Sequence, residues 1–193
     1  LALCIDSANS SVQQTVLTLL AAVCLCFDTD GHKQVSEAMS HFKQVKREDN
    51  RFQTLVEQLD QSDSEQYQTA ALTFINAIVN SPADIDVRTF LRGEFSRLGL
   101  GKILKRLTER SREGSDLRIQ IEVYEEEASY DQDELHERFE RLDCDVNDIE
   151  SVLKVLVEKT SGTVLEKSFL GIAQSLVTLG LDEETGLKSW LCA

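Results

Sequence analysis

Apolar residues recur at intervals of three and four along most of this chain, the spacing that gives a helix one buried stripe. The first such run, from Ser10 or Ser11 to about Cys26, carries Val12, Val16, Leu19, Leu20 and Val23, and either serine is suited to cap it. Asp28-Thr29-Asp30-Gly31 reads as a turn. A second helix is expected over His32 to Lys46, with Val35, Met39 and Phe42 inward. A short third helix covers Arg51 to Leu59, with Phe52, Leu55, Val56 and Leu59 inward. After Ser62-Asp63-Ser64 a helix over 65–80 buries Leu72, Ile75 and Val79, and Pro82 ends it. The next helix, 87–98, turns Phe90, Leu91, Phe95 and Leu98 inward and is capped at its C-terminus by Gly99.

The pattern repeats. LTLLAAV (17–23) returns as LTFINAI (72–78), and RFQTLVEQLD (51–60) returns as GKILKRLTER (101–110). Each unit is a medium, a short and a long helix whose apolar face needs a neighbour to cover it, which is the armadillo or HEAT arrangement. Residues 117–124 (LRIQIEVY) alternate like a strand, yet Leu117, Ile121 and Tyr124 also keep helical spacing. A lone strand in a helical array would have nothing to pair with, so a third copy of the long helix is expected there. Leu135, Phe139 and Leu142 continue a helical stripe, and helices over 146–159, 162–179 and about 182–192 close the chain, with Gly180 capping the second of these. The expected fold is all-α, a right-handed superhelical armadillo solenoid.

Charge narrows the partners. Thirty-four acidic residues against 20 basic ones give a net charge of −14, which would repel nucleic-acid phosphates and favour basic ligands. Thirteen of the acids lie within 122–150, opposed by Arg138 and Arg141, and suit either a solvated surface or an electrostatic guide for a basic peptide. Five cysteines (Cys4, Cys24, Cys26, Cys144 and Cys192) show no framework spacing and read as reduced thiols of a cytosolic protein. No apolar run reaches membrane-spanning length, and no stretch has the layout of a signal peptide.

Chemistry finds few footholds. Asp143-Cys144-Asp145-Val146-Asn147 imitates the start of a calcium loop, but Asp148 stands where glycine should turn the chain and Lys154 where a bidentate glutamate should close it. Gly99-Leu100-Gly101-Lys102 lacks the spacing of a phosphate loop, and Ile103 takes the magnesium-binding position. His32, His41 and His136 are dispersed and read as solvated. No metal, cofactor or catalytic site is expected. A binding face is more promising: on helix 65–80 the small and amide residues Thr73, Asn76, Ala77 and Asn80 fall beside the buried stripe. Amides there suit hydrogen bonds to a bound peptide, and small neighbours permit close approach.

The segments GHKQVSEAMSHFK (31–43), RFQTLVEQL (51–59), LTFINAIVNSP (72–82), DVRTFLRGEFSRLGL (86–100), IQIEVYEEE (119–127) and DELHERF (133–139) resemble the armadillo domain of formins. That region is the formin homology 3 or diaphanous inhibitory domain, and INAIVN with the R-x-x-L-R-x-E-F-x-x-LGL that follows is its most specific piece. Within the family the chain is most similar to inverted formins, with Daam-type formins next. The resemblance implies a non-catalytic regulatory domain that folds back on the C-terminal autoregulatory segment of the same protein, an amphipathic helix with Leu anchors followed by basic residues. It implies release by a Rho-family GTPase, which frees actin assembly elsewhere in the protein, and a cytoplasmic, cytoskeleton-associated setting. It places the groove at Ile75, Asn76, Ala77, Val79, Asn80 and Gln120, with Ala22 at the equivalent position of the earlier copy.

Leu1 stands in mid-pattern, and set against the family it resembles the chain starts inside the third repeat and stops near Trp190. The resemblance therefore implies a partial domain across 1–193, without the first repeats, the GTPase-binding segment and the dimerisation helices, and a monomer. The alternative function is a scaffold repeat that holds an unrelated adaptor or cargo protein.

Overall fold

The computed structural model describes residues 1–26, 30–141, 144–145 and 148–178, without the side chain of Phe139. The described residues are helical, with no strand among them. They divide into two compact units, Leu1–Leu135 and the chain from His136 onward.

In the first unit a short 3-10 turn (Ala2–Cys4) precedes α1 (Ser10–Cys24), α2 (Gly31–Lys46), α3 (Gln53–Gln61) and α4 (Glu65–Asn80). Then come α5 (Ile85–Arg97), α6 (Leu100–Arg110) and α7 (Asp116–Glu140). The medium, short and long order is realised twice, and the strand-like alternation of 117–124 lies inside α7. Side chains set the boundaries. Asn9, rather than Ser10 or Ser11, caps α1, its Oδ1 accepting from the amides of Ser11 (3.0 Å) and Val12 (3.3 Å). Asp84 caps α5 through the Asp86 amide at 2.9 Å, so that helix begins two residues before the expected start. Gly99 follows α5 with φ +84°, a conformation that glycine adopts without a Cβ penalty.

One core runs through this unit. Met39 and Phe42 of α2, Leu55 and Leu59 of α3, Leu72, Ile75 and Ile78 of α4, Phe95 of α5, and Leu117 and Ile121 of α7 are all buried in it. Phe52 stacks on Phe95 with ring centroids 4.6 Å apart, joining one repeat to the next. It does so with φ +68°, a strained angle for a bulky residue, held by complete burial of the ring.

Two inward assignments change. On α1 the buried residues are Val16, Leu17, Leu20, Ala21 and Cys24, whereas Val12 and Leu19 are exposed. The stripe is rotated because α1 lies along α4 on one side and touches α2 on another. On α5, Phe90 is exposed, and the inward face instead carries Arg88 and Arg92 beside Leu91 and Phe95. Hydrophobic spacing passes over arginines, so it chose the wrong flank.

In the second unit α8 (Ile149–Thr160) and α9 (Glu166–Thr178) touch each other, but neither buries a residue. Asp148, the misfit of the calcium-loop imitation, caps α8 through the Ser151 amide. Of the rest of that imitation Cys144 and Asp145 are described and Lys154 lies on α8, while Asp143, Val146 and Asn147, together with Leu142, Gly180 and the helix expected over 182–192, lie outside the described residues. No described helix is long and apolar enough to cross a membrane.

Two close constraints make predictions. A Cβ on Gly31 would sit 1.8 Å from the Val23 carbonyl oxygen, so Gly31→Ala should lower stability by about 2 kcal/mol in chemical denaturation. Burial pushes the Cys24 thiol from 9.0 up to about 12 and the Tyr67 hydroxyl from 10.0 to about 12. Folding therefore favours their protonated forms. That stabilisation is complete below about pH 9 and is lost as pH rises toward about 12. Melting temperature should fall across this alkaline window, and Cys24→Ala should flatten the early part of the fall; an unchanged alkaline profile would contradict it.

Candidate binding depression

Helix α4 is long, mostly apolar and central, and it fixes the site. Ten of its sixteen residues are buried, among them Ile75 and Val79, which have no accessible surface. These two belong to the core and meet a ligand only through the residues that they position, which corrects their placement in the groove. Ala77 and Asn80, two positions beyond Ile75 and one beyond Val79, line a depression of ≈ 300 Å³ together with Thr73, Asn76 and Ser81 of the same region, Gln120 of α7 and Leu25 after α1. Ala22 is exposed on α1, but Leu25 is the residue of that copy that reaches the depression.

The amides here are not free to turn. Asn76 is only 6% exposed, and its Nδ2 donates to both the Gln120 carbonyl oxygen (2.9 Å) and Gln120 Oε1 (3.0 Å). Asn76, expected beside the buried stripe as a donor or acceptor for a bound peptide, is instead a buried strut between α4 and α7. Its Oδ1 is buried with no partner among the described residues, a cost on the order of 1–3 kcal/mol. Asn80 Oδ1 accepts from Arg92 Nη2 at 2.7 Å.

Arg92 is fixed in turn. Its Nε donates to Asp131 Oδ2 (2.8 Å), Nη1 reaches the Tyr124 carbonyl (3.4 Å), and its guanidinium lies 5.2 Å from the Tyr124 ring centroid. Burial raises the pKa of the Tyr124 hydroxyl, and the nearby Arg92 charge partly offsets this. Asp131, 5% exposed, also accepts from Arg88 Nε at 2.7 Å. Arg88 adds bonds to the carbonyls of Pro82 and Ala83 and to Glu134. One buried carboxylate thus holds two arginines and, through them, the end of α4, α5 and α7. Sequence reading placed Asp131 only within an acidic run; its separation of 43 residues from Arg88, close to the 44 between Asn76 and Gln120, was the available clue.

A larger hollow of ≈ 550 Å³ lies against Glu65, Gln66, Thr69, Gly114, Ser115 and Asp116. Its lining lacks an apolar anchor and includes two carboxylates. Among the described residues, no group of His, Cys, Asp or Glu is arranged to hold a metal ion. His32 is half-buried, while His41 and His136 are exposed.

Removing the central carboxylate should be costly, because two nearly buried cations lose their counter-charge. Asp131→Ala is expected to lower unfolding free energy by about 3 kcal/mol. Glu122→Ala, which breaks the exposed Arg118–Glu122 pair, should cost under about 1 kcal/mol. Equal losses in urea denaturation would refute the ranking.

Comparison with known proteins agrees with this architecture. The family profile of the Diaphanous FH3 Domain matches residues 32–192. Formin-F of Dictyostelium discoideum is 39% identical over 191 residues, covering 96% of this chain and 15% of that protein. Inverted formin-2 of Xenopus laevis is 33% identical over 186 residues, covering 96% and 16%. Protein diaphanous homolog 3 of Rattus norvegicus is 34% identical over 182 residues, covering 94% and 15%. The chain therefore spans about a sixth or less of these relatives. Among solved structures, E. histolytica Formin1 bound to EhRho1-GTPγS superposes with a TM-score of 0.62 at 18% identity, covering 72% of this chain and 48% of that one, and shows the same armadillo-like fold.

Proposed function

This chain belongs to the diaphanous FH3 domain family of formins, and from that premise we propose that it is a non-catalytic regulatory module that captures a helical, basic segment of its own protein. The observation that carries this reading is the depression where Ala77 and Asn80 of α4 meet Gln120 of α7 and Leu25. It combines an apolar wall with oriented amides, the makeup of a helix-in-groove site. None of its lining residues is charged, so it takes the apolar anchors of a ligand. The exposed acids Glu125, Glu126, Glu127 and Asp133 of α7, in the same unit, then favour the basic residues beyond those anchors.

In the full protein the ligand is the C-terminal autoregulatory segment, and its capture restrains actin assembly by the rest of the chain. Release by a Rho-family GTPase fits the Formin1 structure, whose partner is EhRho1. This GTPase contact, a cytoplasmic and cytoskeletal setting, and the reading of 1–193 as a partial domain are parts of the same proposal.

The test is fluorescence anisotropy with a labelled synthetic peptide that has leucines at helical spacing followed by Lys and Arg. Ala77→Asp should weaken binding at least about tenfold with an unchanged circular dichroism spectrum, and raising salt from 50 to 300 mM should weaken the unmodified chain. Equal affinity of the variant would remove the depression as the site.

A further inference from the structure

The amides of the depression all show the same polarity. Arginine only donates, so Arg92 fixes Asn80 with Oδ1 toward the guanidinium and the NH2 group turned away. The Gln120 main-chain carbonyl only accepts, so it fixes Asn76 with Nδ2 toward α7. That group in turn holds Gln120 Oε1, leaving the Gln120 NH2 group turned away. Neither the Asn80 nor the Gln120 NH2 group has an acceptor in the protein among the described residues. The amide oxygens, by contrast, are withdrawn: Asn80 Oδ1 serves Arg92, Gln120 Oε1 serves Asn76, and Asn76 Oδ1 is buried. The two hydroxyls at the site give their protons to their own helix, Thr73 to the Thr69 carbonyl and Ser81 to the Ala77 carbonyl. They need no acceptor from a ligand.

We propose that the depression selects a neutral, acceptor-only group, the free main-chain carbonyls in the last turn of a partner helix. This deepens the peptide-capturing reading given above and rests on it. A ligand that covers the two NH2 groups without supplying acceptors leaves buried donors unpaired, at a penalty comparable to a lost hydrogen bond for each. A carboxylate is disfavoured, because no lining residue is charged and Arg92, the cation bonded to the lining residue Asn80, is also held by Asp131 and the Tyr124 carbonyl. The chain is also acidic, at −14 overall. An extended strand is disfavoured too, since it alternates carbonyls with N–H donors, while Asn80 Oδ1 and Gln120 Oε1 are engaged within the protein and Asn76 Oδ1, though unpaired, is buried away from a ligand. The end of a helix is the one common main-chain element that presents carbonyls without N–H groups. Leu25, 54% exposed, and Ala77 supply the apolar contact beside it.

The experiment compares three labelled synthetic peptides on the 193-residue chain by anisotropy. The first has leucines at helical spacing, a helix stop directly after the last of them, an Arg/Lys tail and an amidated end. The second extends the helix by two turns of Ala and Lys, which occupies those carbonyls. The third is the first with a free terminal carboxylate. The first should bind and the second at least about tenfold more weakly, while the third should match the first.

Asn80→Asp and Gln120→Glu each exchange a donor for an acceptor of nearly the same shape and keep the oxygen that Arg92 or Asn76 uses. Each should weaken the first peptide about tenfold. The added negative charge alone would strengthen a basic ligand, so the sign separates the two effects. Tighter or equal binding by both folded variants, equal binding of the extended helix, or binding only through the free carboxylate overturns the proposal while peptide capture stands. Absence of binding by all three peptides to the unmodified chain overturns the capture reading and this one with it.

Discussion

A helix buried on most of its circumference must be enclosed, and α4 sets that condition for the first unit. Ten of its sixteen residues lack appreciable exposure, from Tyr67 to Val79. Such a helix is unstable alone, because its apolar surface needs several partners and its buried polar groups need specific ones. α1 lies along it, α2, α3 and α5 touch it, and α7 reaches it through the Asn76–Gln120 bonds. The depression exists because this enclosure is incomplete at one place, beside Ala77 and Asn80.

The polar groups at that place form a chain of constraints. Asp131 orients Arg92, Arg92 orients Asn80, and the α7 backbone orients Asn76 and then Gln120. Each step follows from a group that can only donate or only accept. A carboxylate on the long helix, far from the depression in sequence, thereby decides which face of an asparagine is available. The same low dielectric that makes these bonds strong makes each of them costly to leave unmade.

Much of the fold was legible because three- and four-residue spacing reports burial directly. The order of α2 to α6, the helical nature of 117–124 and the full length of α4 were all recovered that way. Errors fell where burial was not apolar. Phe90 was turned inward because Arg88 and Arg92 did not register as inward residues, although a carboxylate 39 to 43 positions away satisfies them. Asn9 was passed over as a cap in favour of the serines beside it, since all three side chains can accept an amide N–H. At the site, sequence and resemblance together named Asn76, Ala77, Asn80 and Gln120, which line one depression, along with Ile75 and Val79, which lie inside the core.

The sequence by itself determined that the chain is helical, that its helices repeat in threes and that the repeat belongs to formins, because periodicity and motif are local properties of the string. The tertiary structure decided what each amide does. Asn76 and Asn80 are the same residue type one turn apart on one helix, yet one is a buried strut and the other offers its NH2 group. That difference comes from Gln120 and Arg92, partners 44 and 12 residues distant. Hydrogen-bond polarity depends on which groups meet across helices, and that meeting is settled only when the repeats pack.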